Sequence, residues 1–245
     1  MLTVKVNDNL FEVCESWKDI TIAKAVELYK IKLPEKLKDI YNLTYYSRLP
    51  EKEKEVTLKE LQAKITDEDN HKHFPRFYAS ALEILSNIPH DIIMKTDVIS
   101  VKALYFEYLQ KFVEGIFFFP QYEFKPITSF EFKGETYCLP MSREVFGTEV
   151  PMADITAMEF IESADMLSAA TSLQKDLSKL ATLVAIICRP KGEKYDEKTA
   201  IKRTGEFQEL TMDVVWNVFF SLAVPLITWH QLEAMSSLRK VGEGN

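Results

Sequence analysis

The chain contains little glycine, with seven residues in 245. Architectures with many tight turns and glycine-rich phosphate loops need backbone positions that glycine occupies most easily. This shortage disfavours β-sandwiches and nucleotide-binding loops. Long apolar runs are also lacking, because the longest such stretch, residues 214–229, is interrupted by Asn217, Ser221 and Pro225. It is too short to span a bilayer, so we expect no membrane-spanning helix and no membrane partner.

Basic residues are outnumbered by acidic ones. The 30 Lys and Arg residues stand against 37 Asp and Glu residues, which gives a net charge of −7. General binding to nucleic acid needs a basic face, so we do not expect it. Cysteine is limited to three distant residues in apolar surroundings, Cys14, Cys138 and Cys188. This pattern predicts reduced, buried thiols in an intracellular protein.

Catalytic signatures are missing from the sequence. It has no glycine-rich phosphate loop, no Gly-x-Ser-x-Gly, no His-Glu-x-x-His and no Cys-x-x-Cys. Cys188 ends an apolar run, where burial makes a thiol a poor nucleophile. We therefore predict no catalytic residue, no cofactor and no metal site, in a protein that is not an enzyme.

One histidine pair leaves an alternative open. His71 and His73 follow Asp67 and Asp69 in a polar stretch. Two imidazoles at this spacing share a face on a strand and could bind zinc there, but they diverge on a helix. We interpret the stretch as a solvated loop that leads to Pro75. The alternative is a metal-dependent hydrolase or nuclease that uses the two histidines and a neighbouring aspartate.

The clearest positive feature is an internal repeat. Residues 3–14 align without a gap on residues 129–140. Both segments have the pattern of a tight β-hairpin, with turns at residues 7–9 and 133–135. Asn and Asp tolerate left-handed backbone geometry in the first turn, and glycine supplies it in the second. The sequence therefore predicts two small β-hairpins.

The repeat continues beyond the hairpins. Asp-Ile-Thr occurs at residues 19–21 and again at 154–156, where either the aspartate or the threonine can cap a helix. Each copy then has an apolar helix that stops before Pro89 or Pro190, followed by a polar segment and an aromatic-rich helix. Such self-similarity is typical of a duplicated supersecondary unit.

These patterns together predict the architecture. We expect a mainly α fold with two small β-hairpins (α+β), built as a tandem pseudo-repeat of a hairpin followed by helices. The first unit is predicted at residues 1–125 and the second at 126–245, and we expect them to pack as one body. A duplicated scaffold without catalytic motifs favours a protein that works by binding other proteins.

Local charges and capping residues give further expectations. The charge run at residues 50–55 predicts a solvated loop before a helix. Ser100 is expected to cap the helix that follows it. Asp196 is expected either to cap a helix or to pair with Arg203.

Two segments are candidates for a partner-binding surface. The first is an aromatic stretch that connects the two copies, in which three successive phenylalanines cannot all face inward. The second, residues 141–152, is an apolar insertion that makes a loop in the second copy only. We expect Phe146 to lose its exposure in an assembled complex. The predicted partner-binding residues are Phe117, Phe118, Phe119, Tyr122, Phe124, Val145, Phe146, Val150 and Met152.

Several short strings extend along nearly the whole chain. They are Ser16–Thr21, Ala81–Pro89, Phe132–Tyr137, Asp154–Phe160, Cys188–Asp196, Arg203 with Phe207, and Met212–Asp213 with Phe219–Phe220. The set resembles tailed-bacteriophage proteins encoded among virion structural and tail-assembly genes. The resemblance implies a non-catalytic role through protein–protein contacts, with other phage structural subunits, including copies of itself, as partners. It places the protein in the virion, or in the host cytoplasm during assembly. A host-directed binding protein would show the same surface features.

Overall fold

The computed structural model of the chain describes residues 1–46, 49–118, 125, 127–140, 143–145, 148–150 and 177–221. It contains two compact units, residues 1–122 and residues 123–245, called here the first and the second unit. In the described residues helices predominate, and the strands are short and antiparallel. This confirms the prediction of a mainly α fold with small β-hairpins.

The first unit opens with the predicted hairpin. Strand β1 (Leu2–Val6) pairs with β2 (Asn9–Val13), and Val6 lies opposite Asn9. The two turn residues, Asn7 and Asp8, have φ values of 48° and 65°. A two-residue turn of this geometry matches the twist of antiparallel strands, which is why Asn and Asp favour it. The buried side chains of the hairpin include Val4, Val6 and Val13.

Helices make up the rest of the first unit. They are α1 (Ile22–Lys30), α2 (Glu35–Tyr46), α3 (Glu51–Ala63), α4 (Phe74–Leu85), α5 (His90–Lys95), α6 (Val98–Leu104) and α7 (Gln110–Phe118). One π-helical turn, Asp69–His73, leads into α4, and another, Tyr105–Leu109, joins α6 to α7. None of the described helices has the length and apolar character needed to cross a membrane.

Two helices of the first unit begin after a residue whose side chain caps their first turn. Thr21 caps α1, because its hydroxyl accepts from the Lys24 N–H at 3.3 Å. Asp97 caps α6, since its carboxylate accepts from the Ser100 N–H at 2.9 Å and from the Ser100 hydroxyl at 2.6 Å. The prediction that Ser100 is the cap was therefore wrong. Ser100 lies within the first turn and donates to the residue that holds the cap position.

The charge run at residues 50–55 is helical, which corrects the prediction of a loop. Pro50 occupies the cap position of α3. Glu51 and Glu53 lie in the first turn, where carboxylates interact favourably with the helix dipole. Lys54 pairs with Glu51 at 3.2 Å on the same face. Helix α3 has no buried residue, so its local charges favour the helix without help from a core.

The π turn at Tyr105–Leu109 explains how the face of α6 and α7 enters the core. Val101 and Tyr105 are buried. The wider turn then brings Leu109 inward, while Tyr108 is only half-buried. Tyr105 is fully buried, and its hydroxyl lies 3.3 Å from that of Tyr41. This contact gives the buried Tyr105 hydroxyl a hydrogen-bond partner, as buried polar groups generally require.

The second unit starts with a hairpin of the same design. Strand β3 (Ser129–Phe132) pairs with β4 (Glu135–Cys138), and Phe132 lies opposite Glu135. Its turn residues, Lys133 and Gly134, have φ values of 51° and 81°. The turn thus falls at the positions that the gapless alignment makes equivalent to those of the first hairpin.

A further hairpin lies in the segment predicted as an inserted loop. Strand β5 (Arg143–Val145) pairs antiparallel with β6 (Thr148–Val150). The prediction of a loop for the whole of residues 141–152 was therefore wrong. The two strands are three residues long each and form three residue pairs.

In both units, a residue or short strand that follows a later helix pairs with the second strand of the opening hairpin. In the first unit, Ser86 follows α4 and pairs antiparallel with Val13 of β2. In the second unit, helix α8 (Lys179–Ile187) is followed by β7 (Arg189–Pro190), which pairs antiparallel with β4. Each unit thus contains a hairpin, a helix and a return to the second strand. The sequence repeat predicted the hairpin and the apolar helix of each unit, but not the pairing back to the second strand.

The remaining described part of the second unit is helical. Helix α9 (Glu197–Glu206) is capped by Asp196, whose carboxylate accepts from the Thr199 N–H at 2.8 Å. A 3-10 turn at Phe207–Glu209 precedes a helix described over residues 212–221. The second Asp-Ile-Thr, residues 154–156, lies outside the described residues, so its predicted capping role stays a prediction.

Candidate partner-binding surface

An exposed apolar stripe runs along α6 and the π turn that follows it. It consists of Ile99, Ala103 and Phe106, which are spaced so that they share one face of the helix. Ile99 is 80% exposed and Phe106 is 49% exposed, although both are large and apolar. Ala103 between them is exposed as well. We call these three residues the apolar stripe.

Two more exposed apolar side chains lie close in sequence to the apolar stripe. Val98 begins α6, and Met94 lies in α5, the preceding short helix. The connection between α5 and α6 is held to the first hairpin, since the Asn7 side-chain amide donates to the Thr96 hydroxyl at 3.1 Å. A second contact holds the same junction, because the Thr96 hydroxyl donates to the Ile92 carbonyl at 2.8 Å. The base of the stripe is thus fixed by hydrogen bonds.

Phe106 is positioned by the aromatic core beneath it. Its ring centre lies 5.3 Å from that of Tyr78 and 5.3 Å from that of Tyr105, with interplanar angles of 61° and 84°. Edge-to-face pairs of this kind stabilise one ring orientation. Phe106 therefore presents an exposed face to solvent while its other contacts hold it in place, which suits an aromatic anchor for a protein partner.

The energy available from this surface is substantial for so few residues. Removing a large apolar side chain from water contributes about 1.5–3 kcal/mol. Ile99 and Phe106 together could thus supply a large share of a modest binding energy. Contiguous exposed apolar surface in a protein usually marks an interaction site.

The predicted aromatic segment is only partly described. Phe117 is half-buried and lies within the first unit, where its ring stacks on Tyr29 at 5.3 Å and contacts Phe77 at 6.4 Å. Phe118 ends α7. The other predicted residues of this segment, Phe119, Tyr122 and Phe124, lie outside the described residues. A partner-binding role for the segment stays a prediction.

The inserted segment is described only along its strands. Val145 lies opposite Thr148, and Val150 lies opposite Arg143. Phe146 and Met152 are outside the described residues. The structure thus brings the two valines into one small hairpin, and the docking role predicted for Phe146 stays a prediction.

The histidine cluster has a different environment from the predicted loop. His71 and His73 lie in the π turn that precedes α4. The nearest carboxylate to His73 is Glu68, at 3.5 Å from Nε2. Asp69 is engaged elsewhere, because it accepts from the Thr66 N–H at 2.8 Å and pairs with Lys36. The hydrogen bond from Lys36, with those from Thr66, holds the pKa of Asp69 far below its usual range.

No metal-binding geometry is formed by this cluster. Within the parts of the chain that the structure describes, no three His, Cys, Asp or Glu side chains are grouped so that they could hold a metal ion. His71 is exposed. Two residues at i and i+2 on a helical turn lie on different faces, so the side chains of His71 and His73 diverge. The geometry gives the hydrolase alternative no assembled site.

The cysteines are placed mostly in the core. Cys14 and Cys188 are buried, and Cys138 is half-buried at the end of β4. Burial raises the pKa of Cys14 to about 11 and that of Cys188 further still. A thiol with a raised pKa is a weak nucleophile at neutral pH.

The chain was compared with protein-family models, curated proteins and solved structures, and none of them matches it.

The apolar stripe was not among the sequence-predicted sites. Its signal was available, because Ile99, Ala103 and Phe106 recur at helical spacing on the side of the helix opposite Val101 and Tyr105. The same segment also has a more pronounced buried pattern, which predicts a core helix rather than a surface site.

Proposed function

We propose that this chain is a non-catalytic bacteriophage structural or tail-assembly protein that binds other subunits through the apolar stripe. The observation that carries the proposal is the exposure of Ile99 and Phe106 on one face of α6 and the π turn, while Val101 and Tyr105 on the opposite face are buried. The phage assignment rests on the sequence resemblance. The partner is a phage structural subunit or a second copy of the chain, with an apolar groove that accepts one helical face.

Two features of the stripe support a docking role over simple surface variation. Its residues lie on one helical face, at the spacing of side chains that dock together in an apolar groove. Its aromatic member is held by Tyr78 and Tyr105, so little side-chain freedom is lost on binding. An isolated exposed residue such as Ile201 lacks both features, although it is 65% exposed.

A complementation experiment tests this proposal. A phage that lacks the gene is supplied with wild-type protein, with the double variant Ile99→Asp and Phe106→Asp, or with Ile201→Asp as a matched control. The double variant should stay folded with a modestly lower melting temperature, because Phe106 also packs against Tyr78 and Tyr105. It should lower the yield of infectious particles by about tenfold or more, since hot-spot residues dominate docking. Ile201→Asp should leave the yield unchanged. Equal yields from all three proteins would sink the proposal.

Mass spectrometry of purified particles distinguishes a structural component from an assembly factor. A structural component should be present at a fixed ratio to the other virion proteins. Expression during infection with absence from particles would favour an assembly chaperone or a host-directed binding protein.

A further inference from the structure

A cleft of about 500 Å³ lies in the first unit between α4 and the segment that connects α1 to α2. One wall is formed by residues 31–34 of the connecting segment and by residues 35–36 at the start of α2. The other is one face of the π turn and α4, where the lining side chains recur at helical spacing. These helix residues are Asp69, His73, Arg76, Phe77 and Ser80. The cleft shares no residue with the apolar stripe.

The inner part of the cleft is apolar. Phe77 is almost fully buried, and its ring packs against Tyr105 at 6.0 Å between centres. Leu33 and Pro34 line the opposite wall and are half-buried. Pro34 fixes its own φ and so limits the freedom of this wall. An apolar side chain of a ligand can thus be received by a preformed surface.

The rim of the cleft carries cations that are available to a ligand. Lys36 is already paired with Asp69. Lys32 and Arg76 are exposed, and neither has a hydrogen-bond or ion-pair partner among the described residues. Glu35 is the other carboxylate in the lining. With Lys36 and Asp69 offsetting each other and His73 next to Glu68, the two cations Lys32 and Arg76 remain against the one carboxylate of Glu35.

This local excess of positive charge stands out on a chain with a net charge of −7. We propose that the cleft binds an acidic peptide segment of a partner protein, with an apolar side chain seated near Phe77 and carboxylates at Lys32 and Arg76. The planar guanidinium of Arg76 can donate to one carboxylate through two N–H groups, which adds geometric specificity. Lys32 supplies a second, more flexible charge from the opposite wall.

A labelled peptide provides the test. The probe is a fluorescein-labelled peptide with one leucine between two pairs of glutamates, and its comparison peptide has glutamine in place of each glutamate. Fluorescence anisotropy should detect binding of the acidic peptide to the full chain. Lys32→Glu with Arg76→Glu should weaken it by about tenfold or more, as expected for lost charge complementarity. The glutamine peptide should be similarly weak with the wild-type chain.

The control separates a defined site from overall charge. Lys52 is exposed on α3 and lies outside the cleft lining. The double variant Lys52→Glu and Lys38→Glu makes the same change in net charge as the cleft variant, so its affinity should remain within about twofold of wild type. Equal weakening by both double variants, or equal binding of the two peptides, would overturn the proposal, as would no binding to the wild-type chain.

A milder pair, Lys32→Gln with Arg76→Gln, guards against misfolding in the charge-reversed protein. It should weaken the acidic peptide while it keeps the wild-type melting temperature. Unchanged affinity in this folded variant would also contradict the site. The peptide test leaves the apolar stripe intact, so its failure is distinguishable from failure of the proposed docking role.

Discussion

Arg203 and Glu193 form an ion pair in the second unit. One terminal nitrogen of Arg203 donates to both carboxylate oxygens of Glu193, at 2.8 and 2.9 Å. Arg203 is only 7% exposed, and its guanidinium carbon lies 5.2 Å from the ring centre of Tyr137. The pair therefore joins α9 to the turn after β7, beside the aromatic core of the unit.

This pair predicts an asymmetric response to substitution. Glu193→Ala leaves a buried cation without its counter-charge and should lower the free energy of unfolding by about 3 kcal/mol. Arg203→Met removes the buried charge, keeps much of the stem packing and leaves Glu193 accessible to water. It should therefore cost less than Glu193→Ala. Urea denaturation measures both values.

An exposed ion pair serves as the control. Lys59 and Glu55 lie 2.9 Å apart on α3, and both side chains are mostly exposed. Lys59→Met should change the free energy of unfolding by no more than about 0.5 kcal/mol. A smaller loss for Glu193→Ala than for Arg203→Met would show that the buried cation does not depend on its partner.

Asp19 gives a prediction about pH. Burial alone would raise its pKa, but hydrogen bonds from the N–H groups of Glu15 and Ser16, at 2.9 and 3.0 Å, contribute to a net lowering. The folded-state pKa thus lies below the unfolded value of about 3.9. The resulting stability is present above the unfolded pKa and is lost as pH falls through the folded pKa.

The measurement compares Asp19→Asn with wild type at several pH values. The variant should have a lower melting temperature at neutral pH, and the difference should shrink as the solution becomes acidic. Asp39→Asn is the control, because Asp39 is exposed on α2 and makes none of the contacts described above. A loss in Asp19→Asn that is independent of pH would contradict the role of the charge.

Thiol chemistry gives a further prediction. In the folded chain, Cys138 should react with a disulfide reagent before Cys14 and Cys188, because the latter two are buried and have raised pKa values. All three thiols should react once the protein is unfolded. Cys138→Ser should therefore remove the fast phase of the native reaction. A fast phase that persists in this variant would mean that a buried thiol is accessible.

The sequence was informative where a local rule determines the structure. The turn residues at 7–8 and 133–134 predicted both hairpins, because few residues adopt their backbone geometry. Asp196 was correctly expected to cap a helix or pair with Arg203, and it caps α9. In these cases the interaction partners lie within a few residues of one another.

The features that sequence patterns missed depend on competition between nearby residues or on the packed core. Asp97 and Ser100 are both good capping residues, and the chain uses the earlier one. Glu193 pairs with Arg203 because the turn at Gly192 brings it there. The two π turns have no local sequence signature, so the sequence predicted a loop at Asp69–His73 and a regular helix at Tyr105–Leu109.

A smaller repeat, which involves one 3-10 turn in each unit, was not predicted. The 3-10 turn at Trp17–Asp19 is followed by a buried Ile20 and by Thr21 before a helix. The second unit has the same order in its 3-10 turn at residues 207–209, followed by a buried Leu210. Thr21 and Thr211 are identical at the equivalent position, whereas the aromatic, acidic and aliphatic residues before them recur only by residue class.

Site-specific photo-crosslinking from position 99 during infection tests the docking claim most directly. A photoreactive phenylalanine analogue placed there should crosslink to a phage structural subunit or to a second copy of the chain. The product should be lost when Phe106→Asp is added, whereas the same analogue at position 201 should give no such product. Mass spectrometry identifies the partner. A chain that forms no specific crosslink from position 99, while it remains folded and supports normal particle assembly, would contradict the account.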